Sequence, residues 1–128
     1  MKRAGGLTTV PLAGEISNGS AIDRASVGEL VMIPKDKVDE GELVFRVLSP
    51  LPNFEIETGD LLTVELRNDG HAATGELVIV IVDDCAFIGH WWNKRGYRAL
   101  LDVSFAVITA EKHMRLFGAI TLIVRPPT

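Results

Sequence analysis

The run Leu77-Val78-Ile79-Val80-Ile81-Val82, closed off by Gly75 on one side and Asp83-Asp84 on the other, constrains this chain more than any other stretch. Every residue after Leu77 in it is β-branched, a shape that loses rotamer freedom in a helix and packs well on a pleated strand. Six residues make a strand and fall far short of the roughly twenty needed for a membrane-spanning helix. With no polar side chain at any position, neither face of that strand can meet water. The chain must therefore place apolar layers on both sides of it.

Period-two patterning and turn signals extend the same reading along the chain. Strands are expected at Leu7 to Ile16, Glu29 to Ile33, Gly41 to Leu48 and Leu61 to Leu66. Further strands are expected at Gly75 to Val82, Cys85 to Trp92, Arg98 to Val103 and Gly118 to Val124. Thr58-Gly59-Asp60 and Asn68-Asp69-Gly70 bracket the fourth as turns, and Asn93-Lys94-Arg95-Gly96 reads as a hairpin loop. Lys35 to Glu40 and Ala110 to Phe117 leave room for helices but carry no continuous apolar stripe, so both read as turns or irregular strand. The expectation is a mostly β domain of several short strands.

Length and charge set the function classes. At 128 residues the chain is expected to be one domain, 1–128, with free ends at 1–6 and 126–128. Thirteen Lys plus Arg against seventeen Asp plus Glu give a formal charge of −4, opposite to the basic footprint that binding to a nucleic-acid backbone requires. Direct nucleic-acid and membrane partners are therefore not expected. Met1-Lys2-Arg3-Ala4-Gly5-Gly6 is not followed by the apolar stretch of an export signal, which points to the cytoplasm. A single cysteine, Cys85, excludes an internal disulfide. Cys85, His71, His90 and His113 lack metal-site spacing, and the glycines form no phosphate loop, so neither metal nor cofactor is expected.

Five landmarks, in order, resemble the C-terminal domain of LexA-type repressors and their relatives, the self-cleaving Ser/Lys peptidases that include UmuD and phage repressors. The segment from Val10-Pro11-Leu12-Ala13-Gly14 to Asn18-Gly19 is similar to the family's opening stretch and cleavage loop. Phe45-Arg46-Val47 resembles the strand before the nucleophile, and Gly59-Asp60-Leu61-Leu62-Thr63-Val64 the strand after it. Gly75 to Asp84, and Phe117-Gly118-Ala119-Ile120 through Val124-Arg125, resemble the next strand with its turn and the closing strand. The resemblance implies a compact LexA/signal-peptidase-like β fold of short, strongly twisted strands. It also implies a serine that attacks the chain's own backbone and a buried neutral lysine as base.

Neither residue stands at its place. Counting from Gly75 puts the lysine position on Gly89, while the serine position falls on Pro50 counted from Gly59, or on Leu51 counted from Val47. The family's scissile Ala-Gly aligns with Asn18-Gly19, itself an ordinary turn dipeptide. Ser49, His90 and Lys94 are the nearest substitutes, each also readable as a turn, surface-strand or loop residue. The expectation is a catalytically silent module of regulation or dimerisation that pairs with itself, a LexA-family repressor or another protein. The alternative is a self-cleaving serine peptidase with a displaced nucleophile, serving the SOS response or a DNA polymerase.

Contact surfaces follow by the same analogy. Ile120, Leu122 and Val124 on the closing strand are placed at a two-fold dimer interface, the other reading being a central strand of the monomer's own sheet. Alternation on Cys85 to Trp92 puts Phe87, Gly89 and Trp91 on one face and Ile88, His90 and Trp92 on the other. One indole is expected in the space the lysine vacates, and Trp92 outside as a protein anchor or as rim packing. The Val10 landmark leaves no room ahead of it for a helix-turn-helix domain, unless the chain is a fragment of a longer repressor.

Overall fold

The computed structural model describes residues 6–24, 29–67, 72–94, 97–102, 107–109 and 114–126. The described residues form ten strands: β1 Leu7–Ile16, β2 Asp23–Arg24, β3 Leu30–Pro34, β4 Leu43–Val47, β5 Leu61–Leu66, β6 Leu77–Val82, β7 Cys85–Lys94, β8 Tyr97–Asp102, β9 Val107–Thr109 and β10 Arg115–Val124. Single 3₁₀ turns at Lys35–Lys37 and Pro52–Phe54 are the helical pieces of the described residues. The protein is thus mostly β. No helix among the described residues is long and apolar enough to cross a membrane.

The strands join in the order β2-β1-β4-β5-β10-β6-β7-β8-β9, with β3 added to the N-terminal half of β1. Every pairing is antiparallel except β1 with β4. β6 sits well inside the sheet, between β10 and β7. Its Ile79 and Ile81 enter one core cluster with Phe45, Leu62 and Ile88, while Val78 and Val80 enter a second with Trp91, Leu100 and Leu116. A strand buried on both faces needs an apolar residue at every position, which is the physical reason for the uninterrupted run. Leu12, Ile33, Val44 and Leu61 make a third cluster beneath β1 and β3.

Tight approaches fix the register. β1 shifts register between Leu12 and Gly14 against β4, and a Cβ on Gly14 would lie 2.5 Å from the Asp23 carbonyl oxygen. β10 shifts between Leu116 and Gly118 against β6, where a Cβ on Gly118 would meet the Glu65 carbonyl at 2.7 Å. Glycine is the residue such irregular, crowded strand positions accept. Asp83 and Asp84, at φ 49° and 66°, form the β6–β7 hairpin turn, whose paired left-handed residues match the twist of the strands they join.

Several elements differ from the sequence expectation. β10 begins at Arg115, so the end of the 110–117 stretch continues the strand. β7 runs on to Lys94, taking Asn93 and Lys94 out of the expected loop. The short strands β2 and β9 had no local pattern to announce them. Residues 1–5, the reversal at 68–70, His71, Arg95-Gly96, Val103, 110–113 with His113, and 127–128 lie outside the described residues.

Candidate functional site

β4 ends at Val47, and the chain returns to it thirteen residues later. The Gly59 N–H donates to the Val47 carbonyl at 2.8 Å and the Val47 N–H to the Asp60 carbonyl at 2.9 Å, closing residues 48–58 into a compact loop. Inside it, Leu51 and Ile56 exchange backbone hydrogen bonds in both directions. Both side chains are buried in the first core cluster. Leu51 is thereby a core anchor, and Pro50 is exposed. Pro50, Pro52, Phe54, Glu57, Ile123 and Arg125 line an open groove of about 700 Å3 beside the loop.

Asp60 locks the loop's far end. Its carboxylate is 1% exposed, accepts the Arg125 guanidinium at 3.1 and 3.2 Å and accepts the Glu57 N–H at 2.8 Å. Burial pushes this carboxyl up, but the hydrogen bond from Arg125, and then that from Glu57, outweigh it and hold Asp60 below the usual carboxylate range.

Asn18 and Gly19 lie between this loop and β7. Upstream of them, the Leu48 N–H donates to the Ile16 carbonyl at 2.9 Å, and the Ser17 and Ser49 hydroxyls share a hydrogen bond of 2.7 Å. On the other side, the Gly19 N–H donates to Ala86 O, and Ala86 N–H to Ser20 O. The Ile88 N–H donates to Asn18 Oδ1 at 2.8 Å. β8 ends opposite Gly89, so the 18–20 segment continues the pairing of β7 beyond the end of β8, with the Asn18 side chain standing in for a ladder carbonyl. Gly19 makes the turn at φ 87°.

Gly89 pairs with Val78 on β6 and Asp102 on β8. A Cβ there would sit 2.2 Å from the Leu101 carbonyl oxygen and 2.9 Å from Leu100 Cγ, so β8 occupies the space a side chain would need. His90 is exposed, its Nδ1 lies 3.1 Å from the Gly75 carbonyl, and its ring meets Phe54 edge-on at 5.1 Å. Lys94 Nζ rests 4.5 Å from the centre of the Trp92 ring. Ser49, His90 and Lys94 therefore each have a partner other than one another. Among the described residues no hydrogen bond joins Ser49 to a histidine or lysine.

Trp91 is buried on the Gly89 face, and its indole N–H has no hydrogen-bond partner among the described residues. Trp92 is 44% exposed on the opposite face. β10 lies between β5 and β6, pairing with β6 along Arg115–Ala119 and with β5 along Gly118–Val124. Ile120, Leu122 and Val124 belong to the part that continues past the last β6 pairing and bonds to β5 alone. All three are half-buried, Ile120 against the first core cluster and Val124 against the third.

The sequence marks no site role for Ser17, Phe54 or Arg125. Their partners Ser49, His90 and Asp60 are 32 or more residues away, and no local pattern encodes such contacts. Among the described residues no group of three or more His, Cys, Asp or Glu is placed to hold a metal ion. A scan against protein-family models and a search of curated proteins both return no match for this chain.

Proposed function

We propose that this chain is a catalytically silent relative of the LexA-type self-cleaving peptidases, working in the cytoplasm as a regulatory or dimerisation module through protein contacts. One observation carries the reading. Three stretches far apart in sequence, each at or next to a position matched to that family's cleavage machinery, meet in the fold. Asn18-Gly19 is held between the Val47–Ser49 end of β4 and the Ala86–Ile88 edge of β7. Resemblance of short motifs does not require such a meeting; common descent of the fold does.

The chemistry at that meeting point has been replaced by packing. Leu51 fills the core, Pro50 lines a groove, and the backbone of β8 closes over Gly89. Ser49 spends its hydroxyl on Ser17, and a nucleophile without a base in hydrogen-bond reach is a poor one. The partners proposed are a second copy of the chain or a LexA-family repressor, through Ile120, Leu122, Val124 and the exposed Trp92. Control of transcription in a stress response is the setting this implies.

The test is the intact mass of purified protein after long incubation at about pH 10, where a histidine base is neutral and a lysine base partly so. A Ser49→Ala sample is run beside it. No cleavage fragment is expected. Cleavage after Asn18 that disappears in Ser49→Ala would overturn the reading in favour of a working, displaced nucleophile.

A further inference from the structure

β3 has one partner among the described residues. Its Leu30–Pro34 pairs with Leu7–Pro11 of β1. The Lys35 N–H donates to Gly6 O and the Leu12 N–H to Glu29 O, which fixes the parity of the ladder. Residues 29, 31, 33 and 35 turn their backbone groups toward β1, so those of Leu30, Met32 and Pro34 point to the open edge. On one face of this ribbon Leu7, Leu30 and Met32 are 52%, 58% and 56% exposed, joined by Pro11 and Pro34. An open edge flanked by exposed large apolar side chains is the arrangement folded proteins otherwise cover or charge.

The sequence of the edge indicates what covers it. Glu29-Leu30-Val31-Met32-Ile33-Pro34-Lys35 is pseudo-symmetric about Met32, with an acid at one end and a base at the other. An antiparallel match of this segment with itself sets Met32 against Met32, Leu30 against Pro34, and Glu29 toward Lys35. Lys35 is exposed and has no ion-pair partner among the described residues. Glu29 already bonds Arg46 at 2.9 Å yet stays a third exposed. A parallel match in register sets Glu29 against Glu29 and Lys35 against Lys35, like charge against like.

We propose that the β3 edge is a self-association surface, on which a second copy of this chain pairs antiparallel about a two-fold axis at Met32. Met32 exchanges N–H and C=O bonds with its counterpart, and each Leu30 N–H donates to the other copy's Pro34 carbonyl. Pro34 brings no N–H, so the ladder stops there and stays short. The interface joins both ribbons in one continuous sheet and sets Leu30 and Met32 of one copy beside Pro34 and Met32 of the other. It is separate from the 120–124 segment and independent of any family relation.

Sedimentation equilibrium tests it on the intact chain, comparing Met32→Lys with wild type, and with Leu122→Lys as a second parent. Met32→Lys sets two like charges together at the axis, and it is expected to weaken association at least about tenfold relative to either parent. Lys35→Glu, in an exposed turn, is expected to weaken it in the same direction, more at low salt. Unchanged far-ultraviolet circular dichroism identifies both variants as folded. Association that survives Met32→Lys and Lys35→Glu overturns the proposal, as does a wild-type chain monomeric at high concentration. Loss of association in Leu122→Lys with none in Met32→Lys overturns it while leaving the 120–124 interface standing.

Discussion

Replacing Gly89 with alanine probes why no side chain stands at that position. The new Cβ would lie 2.2 Å from the Leu101 carbonyl oxygen, 2.8 Å from its carbonyl carbon and 2.9 Å from Leu100 Cγ. An ordinary carbon–oxygen contact is about 3.3 Å, so the β8 backbone must retreat by about 1 Å. That backbone is the ladder partner of β7 from Gly89 to Lys94, and it also carries Leu100 in the second core cluster. Overpacking of a filled site costs about 1–3 kcal/mol, and a weakened ladder bond adds about 1 kcal/mol. The smaller conformational freedom of alanine in the unfolded chain returns about 0.5 kcal/mol. The net loss is about 2–3 kcal/mol, or about 10 °C in thermal midpoint for a domain of this size. Thermal and urea unfolding of Gly89→Ala, with the exposed Lys94→Ala as control on the same strand, measures it. A midpoint within about 2 °C of wild type would refute the reasoning, because it would mean that β8 yields without resistance. The same crowding predicts that Leu51→Ser with Gly89→Lys produces a destabilised protein and no peptidase.

Asn18→Ala leaves the Ile88 N–H without its acceptor and is expected to cost about 1–2 kcal/mol by urea unfolding, whereas Asn18→Asp, which keeps an oxygen at that place, stays closer to wild type. Asp60 supplies the acid dependence. Its folded-state pKa is lowered, so its stabilisation is fully present above the unfolded value near 3.9 and is lost as pH falls through the folded one. Urea midpoints measured from pH 7 down to about pH 3 should therefore fall less steeply in Asp60→Asn than in wild type. Equal slopes would remove Asp60 from the account.

Strand positions were legible in the sequence because alternation and β-branching are properties of neighbouring residues. β1 and β5 occupy the spans their patterns predict, and the apolar run at 77–82 required a strand covered on both sides. The residues at the positions marked by the resemblance to LexA-type repressors were equally plain, since identity at a position needs no coordinates. What surrounds those positions was decided only in three dimensions. Gly89 is closed off by a carbonyl of the next strand, Leu51 is drawn into the core by Ile56, and Ser49 is taken by Ser17. The closing strand had an apolar pattern fit for either an edge or an interior place. Pairing with β6 along its first half and with β5 along its second puts it inside the sheet. Sheet order depends on which distant strands meet, and β10 reaches β5 across more than fifty residues of chain. Local patterning sets which face of a strand is apolar; only the assembled sheet sets what lies against that face.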